Sequence, residues 1–190
     1  MAKLILIVDP QIDFVNGTLP VPFSDDSMNN LGIYLKSSAH MYEAKAISVD
    51  FHPFNHCSFI ENGGKWPAHC IAHTKGAAIW PGLNDALFSS HGEPIFLEKG
   101  CEADKEEYSL FMSNESAEKF REIVVKYSIT EVDVCGLVRE ICVLTTIDDM
   151  HRIYPSMKVN VLMKYTPTLD AGVEFSKYLE KNNKWLNVVI

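Results

Sequence analysis

One uninterrupted apolar run that ends in an acid decides the fold class: Leu4-Ile5-Leu6-Ile7-Val8-Asp9. A strand with one face in water alternates apolar and polar residues, whereas a parallel strand buried on both faces is apolar almost throughout. Apolar runs bounded by polar or turn residues recur along the chain, at residues 4–8, 44–49, 94–97, 132–134, 159–163 and 185–190. The six runs predict six strands of a mainly parallel sheet that is covered on both faces.

Segments with helical character separate these runs, at residues 26–42, 116–127, 141–154 and 169–182. In the last segment Val173, Phe175 and Leu179 supply an apolar stripe, while Lys177 and Lys181 face water. Strands that alternate with helices predict an α/β fold, a three-layer αβα sandwich with right-handed crossovers and Rossmann-like topology. We expect one domain over residues 1–190, with a long irregular functional loop at residues 51–92.

Composition narrows the classes of partner. The 190-residue chain has a formal net charge of -8 and a pI near 5.3, which argues against binding to nucleic acid or to an anionic membrane surface. No apolar stretch approaches the ~20 residues of a membrane span, and the first run follows Met1-Ala2-Lys3 without a small-residue cleavage site. The negative charge is easier to reconcile with a small neutral or cationic substrate. The five cysteines are odd in number and lack C-x-x-C pairing, so we expect a reducing compartment, the cytoplasm.

A cluster of metal-binding residue types follows the second predicted strand. Asp50, His52, His56 and His69 place one carboxylate and three imidazoles within twenty residues. Zinc, iron and manganese take such nitrogen and oxygen ligands, and a set without paired thiolates suits an open, ligand-exchanging site. Asp50 and His52 can aim at one point because alternate side chains of extended backbone project to the same side. The alternative is that these are loop histidines near a catalytic cleft.

Reactive side chains come at the ends of four predicted strands: Asp9, Asp50, Lys99, and Cys142 after a short turn. Open α/β sheets bind ligands outside the carboxyl ends of their strands, so these groups should converge. Cys142 lies near a predicted helix N-terminus, which favours a thiolate, although a small buried core residue is the ordinary interpretation of a cysteine. Singly, Asp9 would be a turn residue or cap and Lys99 a solvated charge. Together they can deprotonate a thiol and protonate a leaving amine.

Five segments carry a resemblance to a known family: Val8-Asp9-Pro10-Gln11-Ile12-Asp13-Phe14, residues 50–59, residues 65–70, Glu98-Lys99-Gly100, and Gly136-Leu137-Val138 to Cys142. Their order resembles that of the isochorismatase-like cysteine hydrolases, and within them the nicotinamidases, over nearly the whole chain. Isochorismatase relatives share the acid, the lysine and usually the cysteine, but typically lack the metal ligands. The D-x-H and its downstream histidines therefore favour the nicotinamidase branch.

The resemblance implies a role for each matched residue. Asp9, Lys99 and Cys142 would form the catalytic triad. Asp50, His52, His56 and His69 would hold one divalent metal ion, with zinc as first choice and iron or manganese as alternatives.

The same resemblance implies a substrate pocket beside the triad. The rings of Phe14 and Trp66 would sandwich the substrate and Tyr108 would line the same pocket. The backbone N–H groups of Val138 and Cys142 would form an oxyanion hole next to a cis peptide at Leu137-Val138. Where the family often has Thr-Asp-Tyr or similar, this chain has Arg139-Glu140-Ile141, and we expect Glu140 to serve as a turn acceptor.

The activity implied by the resemblance is hydrolysis of nicotinamide to nicotinate and ammonia through a thioester, in NAD salvage. Family members are often homo-oligomers. Two alternatives stay open from the sequence: a hydrolase of the same fold that acts on another small amide or ureide, and a catalytically silent scaffold that keeps a structural metal.

Overall fold

A computed structural model of the chain describes residues 2–190, and its six strands form one sheet. The strands are β1 Ala2–Val8, β2 Ala44–Asp50, β3 Pro94–Lys99, β4 Ile129–Gly136, β5 Lys158–Leu162 and β6 Leu186–Val189. Each overlaps one of the six predicted runs. Their order is β3-β2-β1-β4-β5-β6, and every neighbouring pair is parallel. The prediction of a mainly parallel six-stranded sheet is confirmed.

Helices occupy the connections between the strands. They are α1 Ile12–Val15, α2 Ser24–Ser38, α3 Pro81–Ser89, α4 Asn114–Tyr127, α5 Leu144–Ile153 and α6 Val173–Asn182. The four predicted helices correspond to α2, α4, α5 and α6. A π-helical turn at Arg139–Val143 leads directly into α5, so the predicted segment 141–154 begins within that turn. No helix within residues 2–190 combines the length and apolarity needed to cross a bilayer.

Helix α3 corrects the prediction that residues 51–92 are irregular throughout. Pro81 stands in its first turn, where the missing N–H costs nothing, and Leu83, Ala86 and Leu87 are buried on one side. The helix has only nine residues, too few for its apolar period to stand out among the surrounding glycines and prolines. Residues 51–80 contain no α-helix and hold all the predicted metal ligands after Asp50.

Two hydrophobic cores lie on opposite faces of the sheet. Successive side chains of β1 alternate between them, with Leu4, Leu6 and Val8 on one face and Ile5 and Ile7 on the other. The first face packs against buried residues of α4, α5 and α6: Phe120, Ile123, Ile147, Met150 and Phe175. The second packs against residues of α2 and α3: Met28, Leu31, Leu35, Leu83 and Leu87. This arrangement is the predicted three-layer sandwich.

The carboxyl ends of β1 to β4 share one edge of the sheet because the strands are parallel. The connection after β1 leads to β2 on one side of β1, and the connection after β3 leads to β4 on its other side. This reversal of strand order opens a crevice at that edge. Gly136 closes β4 against β1 with φ +112, and a Cβ there would lie 2.1 Å from the Val8 carbonyl oxygen. Glycine therefore lets Leu137 N–H donate to that carbonyl at 2.8 Å and seats the following turn beside Asp9.

Candidate active site

The three predicted catalytic side chains meet at this edge. The Lys99 ammonium is fully buried, 3.0 Å from Asp9 Oδ2 and 3.7 Å from Cys142 Sγ, and it also bonds the Asp50 carboxylate. Burial alone would lower the pKa of Lys99, but Asp50 and Asp9 raise it well above its usual value. The lysine is therefore a permanent cation that holds two carboxylates and a thiol together.

Asp9 has the surroundings of a general base. Its backbone is left-handed at φ 46, and Ser48 Oγ donates to its Oδ1 at 2.7 Å. Burial raises the pKa of the Asp9 carboxyl, and the Lys99 ammonium and the Ser48 hydroxyl oppose that rise. Within residues 2–190, buried Oδ2 accepts no aligned hydrogen bond despite the nearby ammonium. This oxygen is available to a proton from the thiol.

Cys142 occupies the fourth position of the π-helical turn and is 7% exposed. Burial raises the pKa of its thiol well above the usual value, although Lys99 opposes the shift. Burial therefore opposes the thiolate that a helix N-terminus favours. The sulfur needs a base at the moment of attack, and Asp9 has a carboxylate oxygen within 4.8 Å of it.

Asp50, His52 and His69 form a buried group with the properties of a metal site. The Nε2 atoms of His52 and His69 lie 3.5 Å and 3.9 Å from Asp50 Oδ2. Their Nδ1 atoms bond backbone carbonyls, at 2.9 Å to Gly100 and 2.8 Å to Pro67. A carbonyl can only accept, so each ring carries its proton on Nδ1 when neutral and turns the Nε2 lone pair towards Asp50.

Charge and burial also fit a bound cation at this group. His52 Nε2 is a buried nitrogen without a hydrogen-bond partner in the described part of the chain. Burial alone would raise the pKa of Asp50, but the Lys99 ammonium holds it below its usual range, so this ligand is deprotonated. Burial lowers the pKa of His69, which keeps the ring neutral, whereas Asp50 raises the pKa of His52 despite burial. Two imidazoles and one carboxylate suit an open site for a divalent metal.

The structure does not bring His56 into that group. Its Nδ1 accepts from Ser58 Oγ at 2.7 Å and its Nε2 bonds the Lys105 carbonyl at 3.0 Å, so both ring nitrogens are engaged. The ring instead stacks on that of His52, with centroids 4.0 Å apart. His56 thus supports the position of His52, and of the four residues that the resemblance implies as ligands, Asp50, His52 and His69 come together.

One cavity joins the catalytic and the metal-binding residues. Its walls include Cys142 and Val138 together with Asp50 and His69. The three aromatic residues predicted to contact substrate, Phe14, Trp66 and Tyr108, also line it. Trp66 Nε1 donates to Tyr108 Oη at 3.2 Å, and Phe14 packs 5.4 Å from the ring of His69. The peptide between Leu137 and Val138 is cis, as predicted.

Residues that act through the backbone escaped the sequence analysis. The buried Gln11 side-chain amide forms two hydrogen bonds with the backbone of Asp50. Gln11 Oε1 accepts from the Asp50 N–H at 2.8 Å, and Gln11 Nε2 donates to the Asp50 carbonyl at 2.7 Å. Glu107 Oε2 accepts from Gly100 N–H at 2.8 Å, and the Glu107 carbonyl accepts from Lys99 at 3.2 Å. The one sequence feature that could have indicated a role for Gln11 is its position two residues after Asp9 in the first motif.

Arg139 and Glu140, which precede Cys142, form hydrogen bonds that connect the π-helical turn to a neighbouring loop. Arg139 donates from Nε to the Thr166 carbonyl at 2.7 Å and from Nη2 to the Met163 carbonyl at 3.3 Å. Glu140 Oε2 accepts from Leu169 N–H at 3.2 Å, and Leu169 is a wall of the cavity. These two residues thus link the turn that carries Cys142 to the cavity wall, and Glu140 accepts from a separate loop and not, as predicted, within its own turn.

Known proteins match this chain over most of its length. Residues 3–153 match the Isochorismatase domain. The nicotinamidase of Escherichia coli is 29% identical, covering 84% of this chain and 80% of that protein. The nicotinamidase/pyrazinamidase of Mycobacterium tuberculosis is 30% identical over 79% of each chain. The crystal structure of the pyrazinamidase of Pyrococcus horikoshii in complex with zinc has a TM-score of 0.84 and 28% identity, covering 100% of this chain and 99% of that one. The chain belongs to the isochorismatase family.

Proposed function

We propose that this protein is a nicotinamidase, which hydrolyses nicotinamide to nicotinate and ammonia. The observation that carries the proposal is a single cavity that joins a buried Asp9-Lys99-Cys142 cluster to the Asp50-His52-His69 group. A cysteine nucleophile beside a carboxylate suits amide cleavage, and a metal-binding group in the same cavity suits a substrate with a ring nitrogen. Nicotinamidases among its relatives support the same substrate.

Aromatic walls and the metal-binding group would orient the substrate. The pyridine ring would lie between Phe14 and Trp66, with its nitrogen towards His69 and its carboxamide towards Cys142. A divalent ion held by Asp50, His52 and His69 would act as a Lewis acid towards the ring nitrogen and fix the ring's direction. Zinc is our first choice because the relative from Pyrococcus horikoshii binds zinc, and iron or manganese would accept the same ligands.

Acylation begins when Asp9 takes the proton of the Cys142 thiol and the sulfur attacks the amide carbon. The oxygen of the tetrahedral intermediate would accept from the backbone N–H groups of Val138 and Cys142, and each such donor is typically worth about 3 kcal/mol. Asp9 then returns the proton to the departing nitrogen as the carbon–nitrogen bond breaks. Ammonia leaves, and a thioester remains on Cys142. Lys99 keeps Asp9 ionised before attack and in place throughout.

Deacylation uses the same groups in the reverse order. Asp9 takes a proton from a water molecule, whose oxygen adds to the thioester carbon. The carbon–sulfur bond breaks, the proton on Asp9 passes to the Cys142 sulfur, and the acid gives its remaining proton to solvent and leaves as nicotinate. Water competes poorly with the buried thiol in the first step because Asp9 and Cys142 already lie close together.

This reaction would serve NAD salvage, since it turns a pyridine amide into the free acid. All five cysteines are free, which supports action in a reducing compartment such as the cytoplasm. A sheet that contains strands from residue 2 to residue 189 supports one domain over residues 1–190. Homo-oligomer formation stays a prediction, and we expect neither nucleic acid nor a membrane as partner.

The test is ammonia release from nicotinamide by the purified, metal-replete protein. Cys142→Ala should lose at least about 10⁴-fold of the activity, and Cys135→Ala serves as the matched control because that buried cysteine lies in β4 and does not line the cavity. Retained activity in Cys142→Ala would refute covalent catalysis. Turnover of other small amides or ureides but not of nicotinamide would favour the first alternative, and an unreactive Cys142 with no turnover the silent scaffold.

A further inference from the structure

A carboxylate with no evident catalytic task lies in the wall of the substrate cavity. Glu106 is half-buried and lines the same cavity as Cys142, Trp66 and Tyr108. We propose that Glu106 is a specificity-determining residue that disfavours carboxylate ligands and thereby promotes release of the acid product. This inference rests on the proposed function.

The Glu106 charge is not explained by pairing. Within the described residues 2–190 it forms no ion pair, and neighbouring Lys105 instead binds Glu107 and lies 3.9 Å from Glu102. Lys99, the buried lysine behind the cavity wall residues Asp50 and Cys142, is already shared by Asp9 and Asp50. A half-buried carboxylate without a cation costs free energy of solvation, so this position does not favour folding.

The reaction itself explains why such a charge would be useful. Its substrate is a neutral amide, but its product is an anion formed in the same cavity. Lys99 and a divalent ion on Asp50 and His69 would both attract that anion. A fixed negative charge on the cavity wall repels a carboxylate and acts on a neutral amide only through the weaker amide dipole. Glu106 therefore changes the difference in affinity between product and substrate, which is what specificity requires.

The test compares Glu106→Gln with Glu102→Gln. The first variant keeps the shape of the side chain and removes the charge, and the second makes the same change in the same segment at a side chain that is 69% exposed. We would measure the inhibition constant of nicotinate and the KM of nicotinamide at about pH 8, far above the pKa of an ordinary carboxyl, because burial raises the pKa of Glu106. The ratio of the inhibition constant to KM should fall about tenfold in Glu106→Gln, as expected for removing one like charge at short range, and should not change in Glu102→Gln.

Three results would overturn the proposal. An unchanged ratio would show that Glu106 does not discriminate by charge. Equal tightening of nicotinate and nicotinamide would indicate a general change of shape or polarity. Loss of bound metal from Glu106→Gln would make the residue a metal ligand, so metal content is measured in both variants.

A binding measurement separates failure of this inference from failure of the proposed function. Nicotinate and nicotinamide are titrated by calorimetry into the zinc-loaded wild type and Glu106→Gln, without turnover as a readout. If nicotinamide is bound but not hydrolysed, the proposed function fails while a tenfold gain in relative nicotinate affinity would still support Glu106. If the wild type binds neither ligand at millimolar concentration, the role of Glu106 is refuted as well.

Discussion

Replacing Ser48 with alanine should move the acid limb of the pH profile of kcat/KM towards higher pH. Ser48 Oγ donates to Asp9 Oδ1 at 2.7 Å, and both side chains are fully buried. This hydrogen bond favours the ionised carboxylate, so its loss raises the pKa of Asp9 further above the usual value that burial already exceeds. Protonated Asp9 cannot accept the thiol proton, and activity is therefore lost below its pKa.

The size of the shift follows from the strength of that bond. A hydrogen bond to a charged group contributes about 1.5–3 kcal/mol, and one pKa unit corresponds to about 1.4 kcal/mol. The acid limb should therefore move upward by roughly 1–2 pH units. Because Ser48 does not touch the cavity wall, the plateau at higher pH should fall much less than the activity on the acid side.

The assay is kcat/KM for nicotinamide across the pH range, with Ser27→Ala as the control. Ser27 is also buried, but its hydroxyl donates to the neutral Lys164 carbonyl at 3.3 Å, so its removal should not move the acid limb. An acid limb at the wild-type pH in Ser48→Ala, with the plateau retained, would refute the assignment of Asp9 as the base. A shift to lower pH would contradict the stated direction of the hydrogen bond.

Three further predictions address the fold, the metal group and the loop. Gly136→Ala should lower the free energy of unfolding by at least about 2 kcal/mol, because its Cβ would meet backbone at 2.1 Å. Gly63 has φ +87 but open space around it, so Gly63→Ala should lower the free energy of unfolding by only about 1 kcal/mol. Chemical denaturation measures both values. His69→Gln should lose stoichiometric zinc in metal analysis after dialysis, whereas His56→Gln should retain it; equal loss would restore His56 as a ligand. Arg139→Met should raise the KM of nicotinamide more than it lowers kcat, and should speed amide hydrogen exchange at residues 166–169; unchanged exchange would contradict its role as a tether.

The strands were predictable because a strand that is buried on both faces of the sheet is apolar at nearly every position. The run 4–8 is apolar at every position, and all of it lies in β1 with no exposure. Parallel pairing then places Asp9, Asp50 and Lys99 at one edge, so the meeting of three distant residues followed from where each strand ends. Helix α3 was missed because nine residues offer a weak period.

Side-chain direction was beyond the sequence. The spacing of His56 from His52 fits a ligand, but a bond to Ser58 and another to a backbone carbonyl fix its ring beside His52. Gln11 supports Asp50 through hydrogen bonds from its side-chain amide to the Asp50 backbone. Such bonds between distant residues leave no pattern in a single sequence. The rise in the pKa of the Cys142 thiol also comes from tertiary burial, which the local sequence around the cysteine does not reveal.

Trapping the acyl-enzyme tests the central claim most directly. The metal-replete protein is mixed with nicotinamide, quenched in acid during turnover, and measured by intact-protein and peptide mass spectrometry. The mechanism predicts a mass increase of one nicotinoyl group, located on the peptide that contains Cys142 and absent from Cys142→Ala. Ammonia release with no adduct on Cys142, together with retained turnover in Cys142→Ala, would contradict it.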